Sequence, residues 1–389
     1  MSELLNGRWA ETKEALLEGL QGTKKSVMGV TLENTRKYLV ESPTAGATSA
    51  GNVATLNRVI LPVIRRVMPT VIANELVGVQ PLTGPVGQIH TLRVRYSDTS
   101  SAAGVVAGEE ALSPFKIAEA YSGNTSTGKA ASTATLEGQA GNRMSIQILK
   151  QTVEAKTRKL SARWTFEAAQ DAQAQQGIDV EAEIMAALAQ EITAEIDQEI
   201  LASLSSLAGT ATQTYDQAQV SGTATFVGDE HAALAIQINR VSNLIAQRTR
   251  RGAGNWAVVS PFALTILQSA TTSAFARTTE GTFEAPTNTK FVGTLNNALK
   301  VYVNSYANDS TPILVGYKGG SESDAAAFYC PYIPLMSSGV VLDPSTFEPT
   351  VSFMTRYGYV ELSNTASSLG NAADYLGKVA ITDGNVKFS

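Results

Sequence analysis

The side chains that most often do chemistry are scarce in this chain. Its 389 residues contain two histidines, His90 and His231, and a single cysteine, Cys330. Any nucleophile activated by an imidazole would have to use one of those two rings. His90 sits in IHTLRVRY, which alternates like a strand, and His231 stands at the start of a helical pattern. Neither lies in a G-x-S-x-G elbow or an H-E-x-x-H pair. A hydrogen-bonded structural role is the expectation for both. Cys330 lies in FYCPY among aromatics and reads as a small core residue. One cysteine also excludes an intrachain disulfide and any Cys-based metal cluster.

The Gly-rich RRGAGN, Arg250 to Asn255, superficially suggests a phosphate cradle. It lacks the G-K-[ST] ending, and its glycines follow a helix and precede a strand, the reverse of a P-loop. A helix C-cap with arginines complementing the dipole fits better. An acidic helix suggests a carboxylate metal site, but two-metal bundle sites need Glu-x-x-His pairs, and none occur. The sequence therefore nominates no catalytic residue, no cofactor-binding residue, no metal ligand and no cofactor.

Charge is informative in its distribution. The net charge of −5 gives no sign of a nucleic-acid binder. Between Arg163 and Arg240 there is no Lys or Arg, while Glu181, Glu183, Glu191, Glu195, Asp197 and Glu199 crowd one segment. Basic residues cluster instead at Arg65-Arg66, at Lys156-Thr157-Arg158-Lys159 and at Arg248-Thr249-Arg250-Arg251. The acids have no basic partner four residues away, so their counter-charges lie elsewhere in the fold or on another chain. A simple solvated face is the alternative.

The elements that must position these groups centre on Ile178 to Leu207. Ile184, Leu188, Ile192, Ile196, Ile200 and Leu204 recur at helical spacing, with Met185, Leu201 and Leu207 widening the stripe. Asp179 can cap the start, and Glu181 and Glu183 suit the first turn. Such a helix is about 45 Å long. Ahead of it, residues 1–50 read as an arm: Leu5, Trp9, Leu16 and Leu20 share one helical face, a second short helix runs from Leu32 to Val40, and a linker runs from Ser42 to Gly51. A further helix from Leu56 to Met68 carries a core-facing stripe, kinked at Pro62.

A strand over Ile89–Tyr96 and an extended segment over Met144–Phe166 bracket a Ser/Thr/Ala/Gly-rich tip at residues 97–143. That reads as a projecting β-hairpin that becomes ordered on a partner. Beyond the long helix come a strand-like stretch at Thr210–Val227, a helix from Glu230 to about Arg250, a buried strand at Trp256–Val259 and a helix at Pro261–Gln268 capped by Ser260. Residues 270–290 form a polar loop. Short strands follow at Lys300–Val303, Pro312–Tyr317, Ala326–Cys330, Ser338–Leu342, Thr350–Thr355 and Gly358–Leu362. The chain is of a size for two domains or one long protomer. Its fold class is α+β. No apolar run approaches the roughly twenty residues of a membrane span, and no signal-peptide pattern is present, so synthesis in the cytoplasm is expected.

Six co-linear blocks add a resemblance: LPVIRRVMPTVIANELVGVQPLTGPVGQI (61–89), TVEAKTRKLSARWTFEAAQDAQAQQGIDVEAEI (152–184), RTRRGAGNWAVVSP (248–261), ILVGYKG (313–319), AAFYCPYIPL (326–335) and LDPSTFEPTVSFMTRYG (342–358). They resemble the major capsid proteins of T-even-type contractile-tailed bacteriophages, from about residue 56 to about residue 360. The resemblance implies a Hong-Kong-97-type phage capsid fold with an N-terminal arm (1–50), a peripheral domain (51–87), an extended β-hairpin loop (88–165), the peripheral domain with its spine helix (166–234), an axial domain (235–345) and a return to the peripheral domain (346–389). Residues 97–143 are too short for the inserted domain of the T-even protein. Leu39-Val40-Glu41 fits the Leu/Ile-x-Glu pattern of head-protease sites, as do Leu16-Leu17-Glu18 and Ile117-Ala118-Glu119; the arm is expected to be retained and to pack on neighbouring subunits.

The implied function is a structural protein, not an enzyme, that self-assembles mostly as hexamers into an icosahedral head enclosing double-stranded DNA. Its implied partners are other copies of itself and the vertex, portal, scaffold and decoration proteins of the head, with DNA contained without sequence-specific binding and no membrane. The acidic spine is expected to pair across subunits with Lys156–Lys159 or Arg250-Arg251. Two rivals stand beside this reading: an encapsulin-like compartment shell, and a soluble oligomeric enzyme with a cleft at His90 or His231.

Overall fold

The computed structural model describes residues 9, 13, 14, 17, 22–41, 72–100, 104–109, 111, 121–123, 130–137, 141–176, 179–220, 227–249, 251–270, 275–277, 290–296, 298–321, 324–346, 348–362, 372–382, 384 and 386. The helix expected over Leu56–Met68 lies outside them. The helices are α1 (Gly22–Glu41), α2 (Ala73–Leu76), α3 (Thr133–Leu136), α4 (Phe166–Gln176), α5 (Val180–Leu207), α6 (Gln217–Val220), α7 (Val227–Thr249) and α8 (Pro261–Ser269). The strands are β1 (Gly78–Val79), β2 (Val86–Tyr96), β3 (Met144–Glu154), β4 (Lys156–Arg163), β5 (Gln213–Tyr215), β6 (Trp256–Val259), β7 (Phe275–Arg277), β8 (Lys290–Leu295), β9 (Leu299–Val303), β10 (Ile313–Gly316), β11 (Ala327–Ser337), β12 (Val341–Leu342), β13 (Pro349–Glu361) and β14 (Leu376–Ile381).

Helix α5 is the spine read from the sequence. Asp179 caps it, its carboxylate accepting from the backbone N–H groups of Glu181 at 3.1 Å and Ala182 at 3.4 Å. Gly209 ends it at a positive φ of 68°, a backbone state that suits glycine. Leu188, Ile192, Ile196, Ile200 and Leu204 are all buried, and Ile184 is partly covered.

Two sheets flank the spine. In the first, β11 pairs with β1 in parallel and with β13 antiparallel, and β13 carries β4 on its other edge and β12 at its start. The second sheet has the order β5-β14-β10-β6-β9-β8-β7. Its central strands β6 and β10 are buried on both faces, which explains near-continuous apolar runs such as WAVV and ILVG. Alternation divides those faces between two cores. Trp256, Val258, Tyr302 and Leu314 join the spine's cluster. Ala257, Val259, Val301, Ile313 and Val315 join Leu234, Ile238 and Val241 of α7 and Ile266 of α8. Ser260 caps α8 as expected, accepting from Ala263 N at 3.2 Å.

The hairpin is present, with β2 and β3 paired residue for residue from Val86–Glu154 to Tyr96–Met144. Its second segment is not one strand to Phe166. The chain leaves the hairpin at Ala155, and β4 joins the first sheet against β13, with Leu160 and Ala162 packed on the spine's core. The described part of the tip makes contacts within the chain. Tyr96, Val105, Ala111 and Tyr121 form a small buried cluster, and the Tyr121 hydroxyl donates to Arg143 O.

Other expectations change as well. The second helix of the arm begins at Gly22 and not at Leu32, and it packs on its own chain's β11. Val27, Met28 and Leu32 are buried there, and Asn34 Nδ2 donates to Leu82 O at 2.5 Å and Tyr332 O at 3.0 Å. The strand-like stretch after the spine shrinks to Gln213–Tyr215, followed by α6. Thr350–Thr355 and Gly358–Leu362 are one strand, β13. Ala327–Ser337, expected in the axial block, belongs to the first sheet, and Leu376–Ile381, expected with the peripheral block, lies inside the second.

Because the spine is the shared core element, Ile200→Ala should lower unfolding stability by about 2–5 kcal/mol. The exposed Glu191→Ala should stay within about 0.5 kcal/mol. Urea-unfolding midpoints of the two variants against the parent chain check both.

Candidate functional site

The sequence-nominated chemistry does not converge. His90 is exposed on β2 of the hairpin. His231 is buried in α7, its Nδ1 2.5 Å from Ser269 Oγ, whose hydroxyl donates to Ile266 O at 2.9 Å. That ring ties α7 to α8. Cys330 is buried with Leu82, Val153 and Phe328, and burial pushes its thiol up to about 12. Among the described residues no cluster of His, Cys, Asp and Glu forms a metal site, and no helix is long and apolar enough to cross a membrane.

RRGAGN is a packed helix exit. Arg251 Nη1 lies 2.6 Å from Asp324 Oδ1, so this arginine pairs with an acid of its own chain. A Cβ on Gly252 would lie 2.6 Å from the Tyr317 ring, and one on Gly254 3.0 Å from Val315, so both glycines permit close approach. Asn255 then pairs with the backbone of Lys318 in both directions, at 2.6 and 3.0 Å. Arg250 lies outside the described residues.

What the structure does assemble is a polar node on one turn of the spine. Arg158 projects from β4 and divides its guanidinium among three acceptors. Nη1 reaches Glu195 at 2.7 Å, Nη2 reaches Glu199 at 2.6 Å, and Nε donates to the Tyr357 hydroxyl of β13 at 2.6 Å. The Tyr357 hydroxyl in turn donates to Glu199. Burial favours a neutral Glu199, yet the Arg158 and Tyr357 hydrogen bonds outweigh it and hold the carboxyl below its usual range. Arg158 of the basic cluster nominated from the sequence thus supplies a counter-charge to Glu195 and Glu199 within one chain, where a partner across a subunit boundary was expected. The reason is topological: β4 is the edge strand that packs beside the spine. Glu183 and Glu191 remain exposed.

Two further groups on that turn escaped sequence reading. Gln198 and Asn304 exchange amide hydrogen bonds at 2.9 and 3.2 Å, tying the spine to the end of β9. Asp197 is buried, accepts from Ile72 N at 2.9 Å through Oδ1, and leaves Oδ2 without a hydrogen-bond partner among the described residues. Desolvation lifts its carboxyl to about 7, and the Ile72 hydrogen bond offsets only part of that. Tyr357 had a usable signal: a tyrosine on the core-facing side of a strand, in step with Val351 and Phe353, needs a polar partner.

The arrangement joins strands to a helix. The comparisons give the chain's class as phage head proteins. The chain is 30% identical to a major capsid protein of Serratia phage KSP90, over 92% of this chain and 90% of that protein. It is 29% identical to those of Vibrio phage KVP40 (85% of this chain, 81% of that protein) and Enterobacteria phage T4 (82% and 78%). Among solved structures it is similar to a chain of Mycobacterium phage Bobi, at 14% identity and a TM-score of 0.49 over 79% of this chain and 89% of that one. The particular family is set by a sequence model described as "Major capsid protein Gp23", which matches residues 53–381. The chain belongs to the Gp23 major capsid protein family: it is a structural protein of the head shell, not an enzyme, and the compartment-shell rival falls away with the enzyme reading. The expected α+β capsid fold class stands with that membership.

Asp197 gives a pH prediction with a definite sign. Its folded-state pKa of about 7 exceeds the ordinary 3.8, so between these values the folded chain keeps a proton that the unfolded chain releases. Stability from this group is therefore full at the acid end of the window and is lost as pH rises through it. Asp197→Asn keeps an acceptor for Ile72 N and removes the titration. It should melt higher than the parent at about pH 8 and like it at about pH 4, a difference read by thermal unfolding across that range.

Proposed function

We propose that the chain assembles mostly as hexamers into an icosahedral head around double-stranded DNA, and that the hairpin of each copy lies on the adjacent one. The observation that carries this is an uncovered apolar stripe on β3. Ile146 and Ile148 are 67% and 66% exposed, with Met144 beside them, all on one face of the hairpin. Adjacent isoleucines left in water on a projecting strand mark a contact surface. In a shell of identical copies the occupant that this reading requires is another copy.

The domain anatomy follows the same reading. The first sheet with the spine makes the peripheral domain, residues 88–165 the extended loop, and the second sheet with α7 and α8 the axial domain. The axial boundary then admits β5 and β14 and excludes β11, modifying the division at 235–345. The arm, residues 1–50, is retained and packs on neighbouring subunits in addition to the contact of α1 with its own. Vertex, portal, scaffold and decoration proteins of the head are the further partners. DNA is contained without being read, since a chain of net charge −5 has little attraction for phosphate. Assembly takes place in the host cytoplasm.

Ile146→Asp with Ile148→Asp should leave the protomer's melting unchanged, since both sites are on the surface. It should abolish or sharply reduce shells in sedimentation and electron micrographs. Shells of normal yield and shape would show that the hairpin does not dock through this stripe.

A further inference from the structure

We infer that Arg158 is a positioning residue for assembly: it locks the direction in which the hairpin leaves the subunit by joining the hairpin's root to the spine helix. Three observations carry this. First, the hairpin has almost no freedom relative to β4, because only Ala155 separates the end of β3 at Glu154 from the start of β4 at Lys156. Ala155 N donates to Pro85 O at 2.9 Å, so both hairpin strands are tied at the point of exit. Gly358 of β13 lies against the same point, where a Cβ would come within 2.6 Å of Val153 and 3.2 Å of Glu154 O. The hairpin therefore moves with β4 and β13.

Second, the polar node is what fastens that strand pair to the spine by direction-dependent contacts. The apolar contacts of Leu160, Ala162, Val351 and Phe353 hold the layers together but tolerate sliding. Arg158 does not, because its planar fork satisfies acceptors on two elements, Glu195 and Glu199 of α5 and Tyr357 of β13, from a third. Third, Glu195 and Glu199 are one turn apart, so the fork reads both the rotation of the spine about its axis and its height along the sheet. Shifting either by a residue breaks two bonds at once. The hairpin's angle is the quantity that a closed shell depends on, so this inference rests on the proposed docking of the hairpin on the adjacent copy.

The test measures the angle and the shells separately. Cysteines are introduced at two exposed positions, Gln147→Cys on the hairpin and Glu191→Cys on the spine, in the full chain. The native Cys330 is buried, so nitroxide labelling is confined to the new sites. Labelled chain is diluted into unlabelled chain, and the label-to-label distance is read by pulsed electron resonance. The parent should give one narrow distance. Arg158→Lys keeps the charge but loses the fork, and it should broaden the distribution at least about two-fold. Its particles should include open sheets, tubes or wrong diameters. Tyr357→Phe removes one hydroxyl while keeping the ring, and it should broaden the distribution less; it serves as the readout if Arg158→Lys does not fold. A purely structural role would lower melting temperature and leave the distance of the folded fraction unchanged, as would a role for charge alone in Arg158→Lys. Distributions for Arg158→Lys and Tyr357→Phe that superimpose on the parent's overturn the inference. Broadened distances with normal shells would instead refute the docking of the hairpin while leaving the lock intact.

Discussion

The structure depends on one constraint, the need to cover a long helix on more than one side. Buried residues of α5 run from Met185 to Leu204 and include neighbours such as Leu188 with Ala189 and Ile200 with Leu201. A stripe that wide cannot be hidden by a single layer. The first sheet covers part of it with β4 and β13, and the second sheet turns Trp256, Val258, Tyr302 and Leu314 toward the rest. That arrangement forces the second sheet to be apolar on both faces, which creates a second core under α7 and α8. The spine thus fixes the composition of strands that are distant from it in sequence.

Apolar burial sets which faces meet but not their register, and polar contacts on one turn of the spine supply the register. Successive residues of an α-helix point about 100° apart. Glu195 and Glu199 therefore share a direction, while Asp197 and Gln198 point elsewhere. The first pair meets Arg158 and Tyr357, Asp197 meets Ile72 N, and Gln198 meets Asn304. One turn addresses three different neighbours. Asp197 shows the cost of doing this from inside a core, since desolvation lifts the pKa of its buried carboxyl to about 7 and the single hydrogen bond from Ile72 N offsets only part of that.

Local patterns were legible where a helix or strand is specified by its own residues. The spine's stripe with its Asp179 cap, the Ser260 cap of α8 and the strand WAVV all appear where their residues place them. The long strands were not legible, because residues that look like breaks are tolerated for tertiary reasons. Pro331 sits within β11 where the register with β13 shifts. Gly358 sits within β13 because Val153 and Glu154 approach too closely for a side chain. Sheet membership was illegible for a related reason. The second sheet takes β5 from before α7 and β14 from near the end of the described chain, a pairing that no local signal records. In the node, the acid-rich turn and the basic cluster were both visible as lacking local partners. Only the path of β4 shows that they meet in one chain.

That meeting changes what the charge pattern says about assembly. An acidic helix with its counter-charge on another subunit would make the shell hold each protomer together. With Glu195 and Glu199 satisfied by Arg158, that turn of the spine needs no counter-charge from another subunit. In the proposed assembly the contact surface is the hairpin. Its root is fixed by Ala155, Gly358 and the node, and in the described part of its tip Tyr96, Val105, Ala111 and Tyr121 pack together, with Tyr96 and Tyr121 ring centroids 4.5 Å apart. Ordering a long polar loop on binding would consume much of the free energy that an exposed stripe of isoleucines can supply. A hairpin whose root is already fixed avoids part of that loss, so in the proposed docking modest contacts repeated around every subunit add up to a closed shell.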